Sequence, residues 1–418
     1  MKGPPQTRLV PHNKTQLTAE RMTKSPTKTE ENPAVTLKIQ RRSSHPWIFQ
    51  KMVEKPEKKP ANGSVVEIFD KDGVWSGRGL YNGHSRISLR VLTIDSREPI
   101  DQAFFARRIG EAIALRRDVH KIDEKSNAYR LVHSEGDGLS GLVIDRFGDL
   151  IVVEFFSSGM FKFRNIIFEV LKSNFPGCNL YWFAEEHVQK QDSFDCHPPE
   201  PPAPSVIVEN GLKFRVVPGT KHKTGYFVDQ RDNRSYLTQF TQGKTVLDLC
   251  CNSGGFSVYA AAKGGAADVT AIDLDEEILE IAEENARMNG AKVRFVHSDI
   301  FNWLRVAKEN NQQYDVVILD PAKQTRSRET TDLALRRYMD MNKLALGVTK
   351  PGGIFLTCSC TGLVNEYDFI DSVRRGAWSA GRKLQVFNVT GAGPDHPWLA
   401  HVPESRYLKA VWCRVQNP

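Results

Sequence analysis

Two short motifs in the second half of the sequence carry the residues best suited to chemistry. The first, DLCCNSGGF at 248–256, is a glycine-rich turn between an apolar run and a helical pattern. Such a turn lets the main chain approach a nucleoside cofactor closely. The second, TCSCTG at 357–362, places two thiols at the end of a later apolar run. Because a thiolate is a good nucleophile, the two motifs together predict one pocket for a cofactor and a nucleophile.

Alternating strands and helices are predicted around these motifs, from about Val206 onward. The apolar runs VLDLCC, VTAID, VRFVH, YDVVILD and IFLTCS are separated by helical segments, of which EEILEIAEENARMNG is the clearest. Apolar strands separated by helices indicate a parallel sheet that is covered on both faces. The last two runs, LQVFNV and RYLKAVWCRV, predict an antiparallel hairpin at the sheet edge. The sequence therefore predicts an α/β, Rossmann-like domain.

Acidic residues follow successive strands of this predicted sheet, at the carboxyl ends where ligands bind. We expect Asp248 to balance the positive charge of an amine and Asp273 to accept hydrogen bonds from two ribose hydroxyls. Asp299 is expected to accept a hydrogen bond from an adenine amino group. S-adenosyl-L-methionine agrees with this pattern better than NAD, since the turn lacks GxGxxG spacing; a structural turn without a ligand is the remaining alternative. The predicted cofactor residues are Asp248, Cys250, Asn252, Gly254, Gly255, Phe256, Asp273, Leu274, Asp299, Ile300 and Asp320.

The first half of the sequence has a different texture. Short alternating runs with Gly and Asn turns predict β structure, followed by a helix over about 103–119, a hairpin around Phe147 and Gly148, and a proline-rich linker at 187–205. The polar start of the chain is an inert extension or a nonspecific RNA tether. The predicted boundaries are a disordered basic tail at 1–34, a small all-β domain at 35–100, an α+β domain at 101–205 and the Rossmann-like domain at 206–418.

Composition narrows the class of protein. The 418 residues are 40% apolar and 26% charged, as in a globular enzyme, and the net charge of +7 is compatible with an anionic partner. Seven cysteines, two pairs of them within apolar runs, favour a reducing compartment, and we expect a cytoplasmic location. We predict no membrane span. We also predict no metal site, since Cys196 and His197 lack further ligands at suitable spacing.

Seven motifs together resemble the ribosomal RNA large subunit methyltransferase I family. They are HPWIF, YRLVHSEGDGLSGLVIDRFGD, KTGYFVDQRDNR, DLCCNSGGF, LDPAK, TCSC and PESRYLKA, and they span most of the chain between Val35 and Val415. The resemblance implies a class I methyltransferase sheet that uses S-adenosylmethionine, preceded by a small β-barrel PUA domain that binds RNA. It also implies methylation of C5 of a cytosine in large-subunit (23S) ribosomal RNA.

The chemistry implied by the resemblance needs a thiol. Cytosine C5 becomes nucleophilic only after a group adds to C6, and the target base must first leave its stack. Cys360 is the predicted nucleophile because it lies nearer the strand end than Cys358, which remains the alternative. We expect Asp320 to hold N3 or the exocyclic amine. Many family members have DPP and an aromatic residue here, so Ala322 in LDPAK leaves this substrate contact open.

A set of basic and aromatic residues is predicted to contact RNA. In the first domain, the alternative is that the tryptophan is core and the arginines form a solvated face. Tyr226 or Phe227 is expected to stack on the flipped base or the adenine, unless the pair serves as a hydrophobic staple at a helix start. The predicted RNA-binding residues are Arg42, His45, Trp47, Arg86, Arg231 and Lys323.

Two other functions stay open at this point. One is an rRNA guanine N-methyltransferase of similar fold, which needs no covalent step and hence no thiol. The other is an RNA-binding ribosome assembly factor whose catalytic domain has lost its activity. The altered LDPAK loop is the reason to consider this alternative. The sequence leaves the oligomeric state undecided, with a homodimer as one option.

Overall fold

The computed structural model describes residues 32–219 and 225–417. The predicted disordered tail lies outside the described residues, apart from residues 32–34.

A five-stranded sheet forms the first part of the described chain, in the order β1-β3-β4-β5-β2. Only β1 and β3 run parallel. Alternate residues such as Val66 and Ile68 are fully buried, as the period of two in the sequence predicts. The strands are β1 (Ala34–Thr36), β2 (Trp47–Phe49), β3 (Ser64–Phe69), β4 (Trp75–Tyr81) and β5 (Ile87–Thr93).

A four-stranded sheet with helices follows, in the order β6-β7-β8-β9, and its last pair is parallel. The predicted hairpin is present between β7 and β8, with Gly148 at φ +64° in the turn. The strands are β6 (Ala128–His133), β7 (Leu142–Phe147), β8 (Leu150–Phe155) and β9 (Asn179–Phe183).

The helices of this middle region pack on one face of its sheet. The first begins at the cap residue Asp101, whose carboxylate accepts a hydrogen bond from Phe104 N, and it continues into a wider turn at Leu115–Val119. The predicted linker at 187–205 begins within a helix that ends at Asp192, and the segment without helix or strand covers residues 193–204. The helices are α1 (Gln102–Ala114), α2 (Ser158–Lys162), α3 (Arg164–Asn174) and α4 (Glu186–Asp192).

A two-stranded hairpin, β10 (Ser205–Glu209) and β11 (Leu212–Val216), leads into a seven-stranded sheet. The order of that sheet is β14-β13-β12-β15-β16-β18-β17. The strands are β12 (Thr245–Leu249), β13 (Asp268–Asp273), β14 (Arg294–His297), β15 (Tyr314–Leu319), β16 (Thr349–Ser359), β17 (Lys383–Thr390) and β18 (Lys409–Gln416).

The first five strands of this sheet are parallel, and β18 runs antiparallel to both of its neighbours. The predicted Rossmann-like class with a terminal antiparallel pair is therefore confirmed. Its central strands are buried on both faces, as helices on each side require. The helices are α5 (Arg231–Leu237), α6 (Gly255–Val258), α7 (Glu276–Met288), α8 (Ile300–Glu309), α9 (Thr331–Gly347) and α10 (Glu366–Ser379).

Candidate active site

The strand order reverses between β12 and β15, which defines the switch point of the sheet. From β12 the chain builds outward to β13 and β14, then returns to place β15 on the other side of β12. Leu249 pairs with Leu319, and Leu319 pairs with Thr357, so three strand ends lie side by side. Ligands bind beyond the carboxyl ends of strands at such a point. The glycine turn, the LDPAK loop and the TCSC segment therefore meet at one edge.

The glycine turn has a strained backbone. Cys250, Asn252 and Gly254 all have positive φ values, of 62°, 50° and 76°. A Cβ on Gly254 would lie 3.2 Å from the Ala282 Cβ, and one on Gly255 would lie 2.9 Å from the Arg234 Cδ. The turn and its packing thus require glycine independently of a ligand, a reason that differs from the close approach expected from the sequence.

Two of the predicted acidic residues organise the backbone around this edge. The Asp273 carboxylate accepts hydrogen bonds from Asn252 N at 2.8 Å and Asp275 N at 3.1 Å. Asp299 caps α8, with its Oδ1 accepting from Phe301 N and Asn302 N. Leu274 follows Asp273 and is 65% exposed, whereas the predicted neighbours Ile300 and Phe256 are buried. Both carboxylates are fixed in orientation before any ligand arrives.

Asp248 lies inside the sheet, directly beneath the glycine turn. Its Oδ2 accepts from the Ser257 amide at 3.1 Å and the Ser257 hydroxyl at 2.5 Å, while its Oδ1 is buried and has no hydrogen-bond partner among the described residues. Burial raises the pKa of this carboxyl to about 6. A buried carboxylate oxygen without a partner can accept a hydrogen bond from an amine. The residues at this turn therefore fit the amine of S-adenosylmethionine.

Asp320 follows β15 and is held by one side chain. Gln230 Nε2 donates to its Oδ2 at 3.0 Å, and the Asp320 amide donates to Leu249 O. Burial, together with the nearby Asp229 carboxylate, raises the pKa of Asp320 to about 7. The carboxyl therefore exchanges its proton near neutral pH.

Cys360 comes immediately after β16 and is half-buried. Its Sγ lies 3.9 Å from Pro321 O, which sets the thiol against the LDPAK loop. Burial, Asp320 and Asp229 raise the pKa of this thiol to about 11, so the resting group is protonated at neutral pH. Cys358 differs in its access, because it is fully buried in a core cluster that includes Trp412, although the Gln230 amide and Asp320 are also near it.

Hydrogen bonds hold the LDPAK and TCSC loops together. The Thr361 hydroxyl accepts from Gln324 N at 3.1 Å and lies 2.8 Å from the Tyr338 hydroxyl. The Lys409 ammonium donates to the carbonyl oxygens of Thr361, Val364 and Tyr407 at 2.7–2.8 Å. Ala322 itself is exposed, and these hydrogen bonds to the neighbouring residues do not involve its side chain.

The predicted RNA-binding residues differ in how exposed their side chains are. Arg42, Arg86 and Lys323 are exposed. His45 is partly exposed, with its Nε2 3.6 Å from a Glu404 carboxylate oxygen. Trp47 is half-buried, and its indole N–H donates to Glu135 at 2.7 Å, so it holds the first sheet against the middle region.

The structure does not place Arg231 or Tyr226 where the sequence prediction put them. The Arg231 guanidinium is buried and paired with Asp395 at 2.8 Å, which removes it from the RNA-facing surface. Tyr226 is also buried, where it donates to Glu209 at 3.1 Å, so it cannot stack on a base. Phe227 is 42% exposed and remains accessible. The motif residues Lys223 and Thr224 lie outside the described residues.

Sequence reasoning missed the buried ion pairs beneath this pocket. Arg234 pairs with both oxygens of Glu209 at 2.9 Å, and Arg231 pairs with Asp395. The backbone amide of Arg130 also donates to Asp395 at 3.0 Å. Four arginine or aspartate positions within DQRDNR were a signal that this helix start is highly charged, but the partners of the buried ones are distant in sequence. The missed residues fix the pocket walls.

Asp320→Asn is expected to stabilise the protein above neutral pH. The raised pKa of Asp320 means that its contribution to stability is present below about pH 4 and is lost as pH rises through about 7. Removing the charge should increase the free energy of unfolding at pH 8 by about 1–3 kcal/mol, and by less at pH 5. Urea unfolding at both pH values measures the effect. Equal stability of the two proteins at pH 8 would contradict it.

Two family models match the chain. One, described as an S-adenosylmethionine-dependent methyltransferase, matches residues 184–390, and the other, described as a PUA-like domain, matches residues 39–94. Over the described ranges, no helix is long and apolar enough to cross a membrane. Within those same ranges, no group of three or more His, Cys, Asp or Glu side chains is arranged to hold a metal ion.

Curated relatives cover nearly the whole chain. Ribosomal RNA large subunit methyltransferase I of Aeromonas hydrophila is 39% identical over 381 residues, which is 89% of this chain and 96% of the relative. The protein of the same name from Photobacterium profundum is 38% identical over 384 residues, covering 90% and 96%. The Klebsiella pneumoniae relative is 37% identical over 379 residues, covering 89% and 94%.

Two solved structures share the fold. SMU.776, crystallised in complex with SAH, matches with a TM-score of 0.77 at 20% identity, over 92% of this chain and all of the other. A protein of Streptococcus mutans matches with a TM-score of 0.75 at 19% identity, over 91% of this chain and all of the other.

The fold and the site together define an S-adenosylmethionine-dependent methyltransferase that carries a PUA-like domain before its catalytic sheet. S-adenosylmethionine is its cofactor, as the family model and the donor set at the glycine turn both indicate. Identity of 37–39% over most of the chain settles the narrower relationship. The chain belongs to the ribosomal RNA large subunit methyltransferase I family.

Proposed function

We propose that the protein methylates C5 of a cytosine in large-subunit (23S) ribosomal RNA through a covalent bond between Cys360 and C6 of the base. The observation that carries the proposal is the half-buried Cys360 thiol at the carboxyl end of β16, against the loop that bears Asp320. An N-methyltransferase has no use for a thiol at this position. The names of the curated relatives support ribosomal RNA as the substrate.

The choice of Cys360 over Cys358 rests on access. The Cys358 side chain has no exposed surface, and the Gln230 side chain that holds Asp320 also lies against it, so a base would have to displace packed side chains to meet this thiol. Cys360 lies beyond the last paired residue of β16, next to Pro321. A flipped base that enters from the strand ends meets Cys360 first.

The proton on the Cys360 thiol must move before the thiol can add to C6. Asp320, with a pKa of about 7, accepts that proton as a carboxylate and donates a proton to cytosine N3 as an acid. The S–C6 bond therefore forms without net charge on the ring. Lys323 lies close enough to lower the pKa of the Cys360 thiol, which favours the thiolate. Bound S-adenosylmethionine supplies the electrophilic methyl group.

The cofactor is expected to lie across the glycine turn. Asp248 Oδ1 would take its amine, and Asp273, at the end of β13, would take the ribose hydroxyls. Each oxygen of a carboxylate accepts more than one hydrogen bond, so the backbone donors on Asp273 leave capacity for the ribose. Asp299 would face the adenine amino group from the end of β14. These assignments put the methyl donor beside the base held by Asp320.

The first sheet and the rim of the pocket would bind the RNA around the target. Arg42 and Arg86 are exposed on the PUA-like sheet and Lys323 is exposed on the LDPAK loop, so all three can reach phosphates. The net charge of +7 favours the same partner. A cytoplasmic location belongs to this proposal, and the seven unpaired cysteines suit it.

Mapping of 5-methylcytosine in ribosomal RNA with and without the gene tests the function. One cytosine of the large-subunit RNA should lose its methyl group in the deletion strain and regain it on complementation. An unchanged 5-methylcytosine level together with loss of a methylated guanine would favour the guanine enzyme. No change in either, with no calorimetric binding of S-adenosylmethionine, would favour the lapsed assembly factor.

A further inference from the structure

Asp229 is a carboxylate near Asp320 that the proposed function has not used, and it has an unusual environment. It belongs to the helical turn Val228–Gln230 and is only 9% exposed. Its Oδ2 accepts a hydrogen bond of 2.6 Å from the Tyr407 hydroxyl, while its Oδ1 is buried and has no hydrogen-bond partner among the described residues. Leaving a buried carboxylate oxygen without a partner is costly, so such an oxygen points to a ligand or a reacting group.

The turn that carries Asp229 also contacts Asp320. The next residue, Gln230, donates to Asp320 Oδ2 at 3.0 Å, and Gly393 N donates to Asp229 O at 3.0 Å, which fixes the turn. The negative charge of Asp229 raises the pKa of both Asp320 and the Cys360 thiol. Asp229 therefore lies on the same pocket as these two groups.

The covalent route leaves one proton without an acceptor. Once a methyl group has been added, C5 of the adduct carries both that methyl group and its original hydrogen. The C5=C6 double bond returns only when a base removes the C5 proton and the C6–S bond breaks. Asp320 already accepts a hydrogen bond from Gln230 and, in the proposed function, contacts N3 of the base. A carboxylate oxygen without a partner in the same pocket matches this need.

We propose that Asp229 is the catalytic base that removes the C5 proton, an inference that rests on the proposed covalent function. Its Oδ1 forms a bond to the C5 proton, the electron pair of the C5–H bond forms the C5=C6 bond, and the C6–S pair leaves with Cys360 as a thiolate. The proton on N3 returns to the Asp320 carboxylate, which restores neutral 5-methylcytosine. Tyr407 is a positioning residue, because its hydroxyl holds Asp229 Oδ2 and aims Oδ1 at the ring.

Asp229→Asn tests the proposal through the product that it leaves behind. With a short ribosomal RNA substrate and S-adenosylmethionine, this variant should accumulate a protein–RNA adduct that survives denaturing electrophoresis and carries a labelled methyl group. Release of tritium from cytosine labelled at C5 should fall about 100-fold or more, the usual scale for losing a general base. Calorimetric binding of S-adenosylmethionine should be unchanged.

The matched control is Asp232→Asn on the next helical turn. Asp232 is 53% exposed and pairs with Arg231, so its replacement should leave adduct level and tritium release within about twofold of wild type. If Asp229→Asn fails to fold, Tyr407→Phe replaces it. That variant keeps the carboxylate but not its orientation, and should slow tritium release about tenfold while adduct formation continues.

Four results would overturn the inference. Tritium release at the wild-type rate would show that another group is the base, and loss of S-adenosylmethionine binding would make Asp229 a cofactor ligand. Wild-type enzyme that forms no adduct with RNA containing 5-fluorocytosine, which blocks proton removal, would refute the covalent function itself. Wild-type trapping on 5-fluorocytosine with no adduct in Asp229→Asn would refute the role of Asp229 alone.

Discussion

Cys360→Ala is expected to abolish methyl transfer to cytosine, while Cys358→Ala is expected to retain it. The first variant removes the half-buried thiol that contacts the LDPAK loop, and loss of a covalent nucleophile should lower the rate about 1,000-fold or more. The second removes a sulfur from the core, at a cost of about 1–2 kcal/mol in the free energy of unfolding. Incorporation of labelled methyl groups into ribosomal RNA measures both.

Serine at each position provides the matched controls. Cys360→Ser keeps the size of the side chain but lacks a thiolate, so it should be as inactive as Cys360→Ala, yet bind S-adenosylmethionine normally. Cys358→Ser buries a hydroxyl in the apolar core and should lower stability more than Cys358→Ala does. If activity disappears only when Cys358 is replaced, then Cys358 is the nucleophile and the assignment to Cys360 is wrong.

Arg234→Met is expected to give the largest loss of stability. The Arg234 guanidinium is 4% exposed and forms two hydrogen bonds of 2.9 Å with Glu209, which is fully buried. Tyr226 and Tyr259 also donate to that carboxylate. Removing the cation leaves a buried anion unpaired and should lower the free energy of unfolding by about 3–5 kcal/mol. Urea unfolding gives the value.

Two further variants separate the ion pair from simple side-chain loss. Arg374→Ala removes a 71% exposed arginine from its pair with Asp371 and should change stability by less than about 1 kcal/mol. Arg234→Met combined with Glu209→Leu removes both charges and should recover most of the loss. An Arg234→Met protein as stable as wild type would show that Glu209 finds another partner.

The parallel sheet, and the residues that lie at its carboxyl edge, could be predicted from the sequence because both follow from local patterns. Apolar runs with helices between them indicate a parallel sheet, and residues that follow such runs must lie at its carboxyl edge. That argument alone places Asp273, Asp299 and Asp320 at one edge, where the structure has them. The position of Cys360 beyond the end of β16 follows from the same count along the strand.

The walls of the pocket could not be predicted in this way. Arg231 pairs with Asp395, 164 positions later, and Tyr407 reaches Asp229 across 178 positions. A charged residue in a helix start has the same local pattern whether it faces solvent or a distant partner. Burial of the partner decides between the two, and burial depends on tertiary packing. For this reason Arg231 is buried where the sequence predicted an RNA contact, and of Tyr226 and Phe227 only Phe227 is exposed.

The segment between β17 and β18 has a consequence for the order in which the enzyme is made. Asp395, Tyr407 and Lys409 come late in the sequence, yet they hold Arg231, Asp229 and the TCSC loop. On the ribosome, chains emerge from the N-terminal end and domains fold as they appear. The PUA-like sheet is therefore complete long before the pocket. Under the proposed function, a nascent chain gains its RNA-binding domain first and its methyl-transfer site only once β18 pairs with β16.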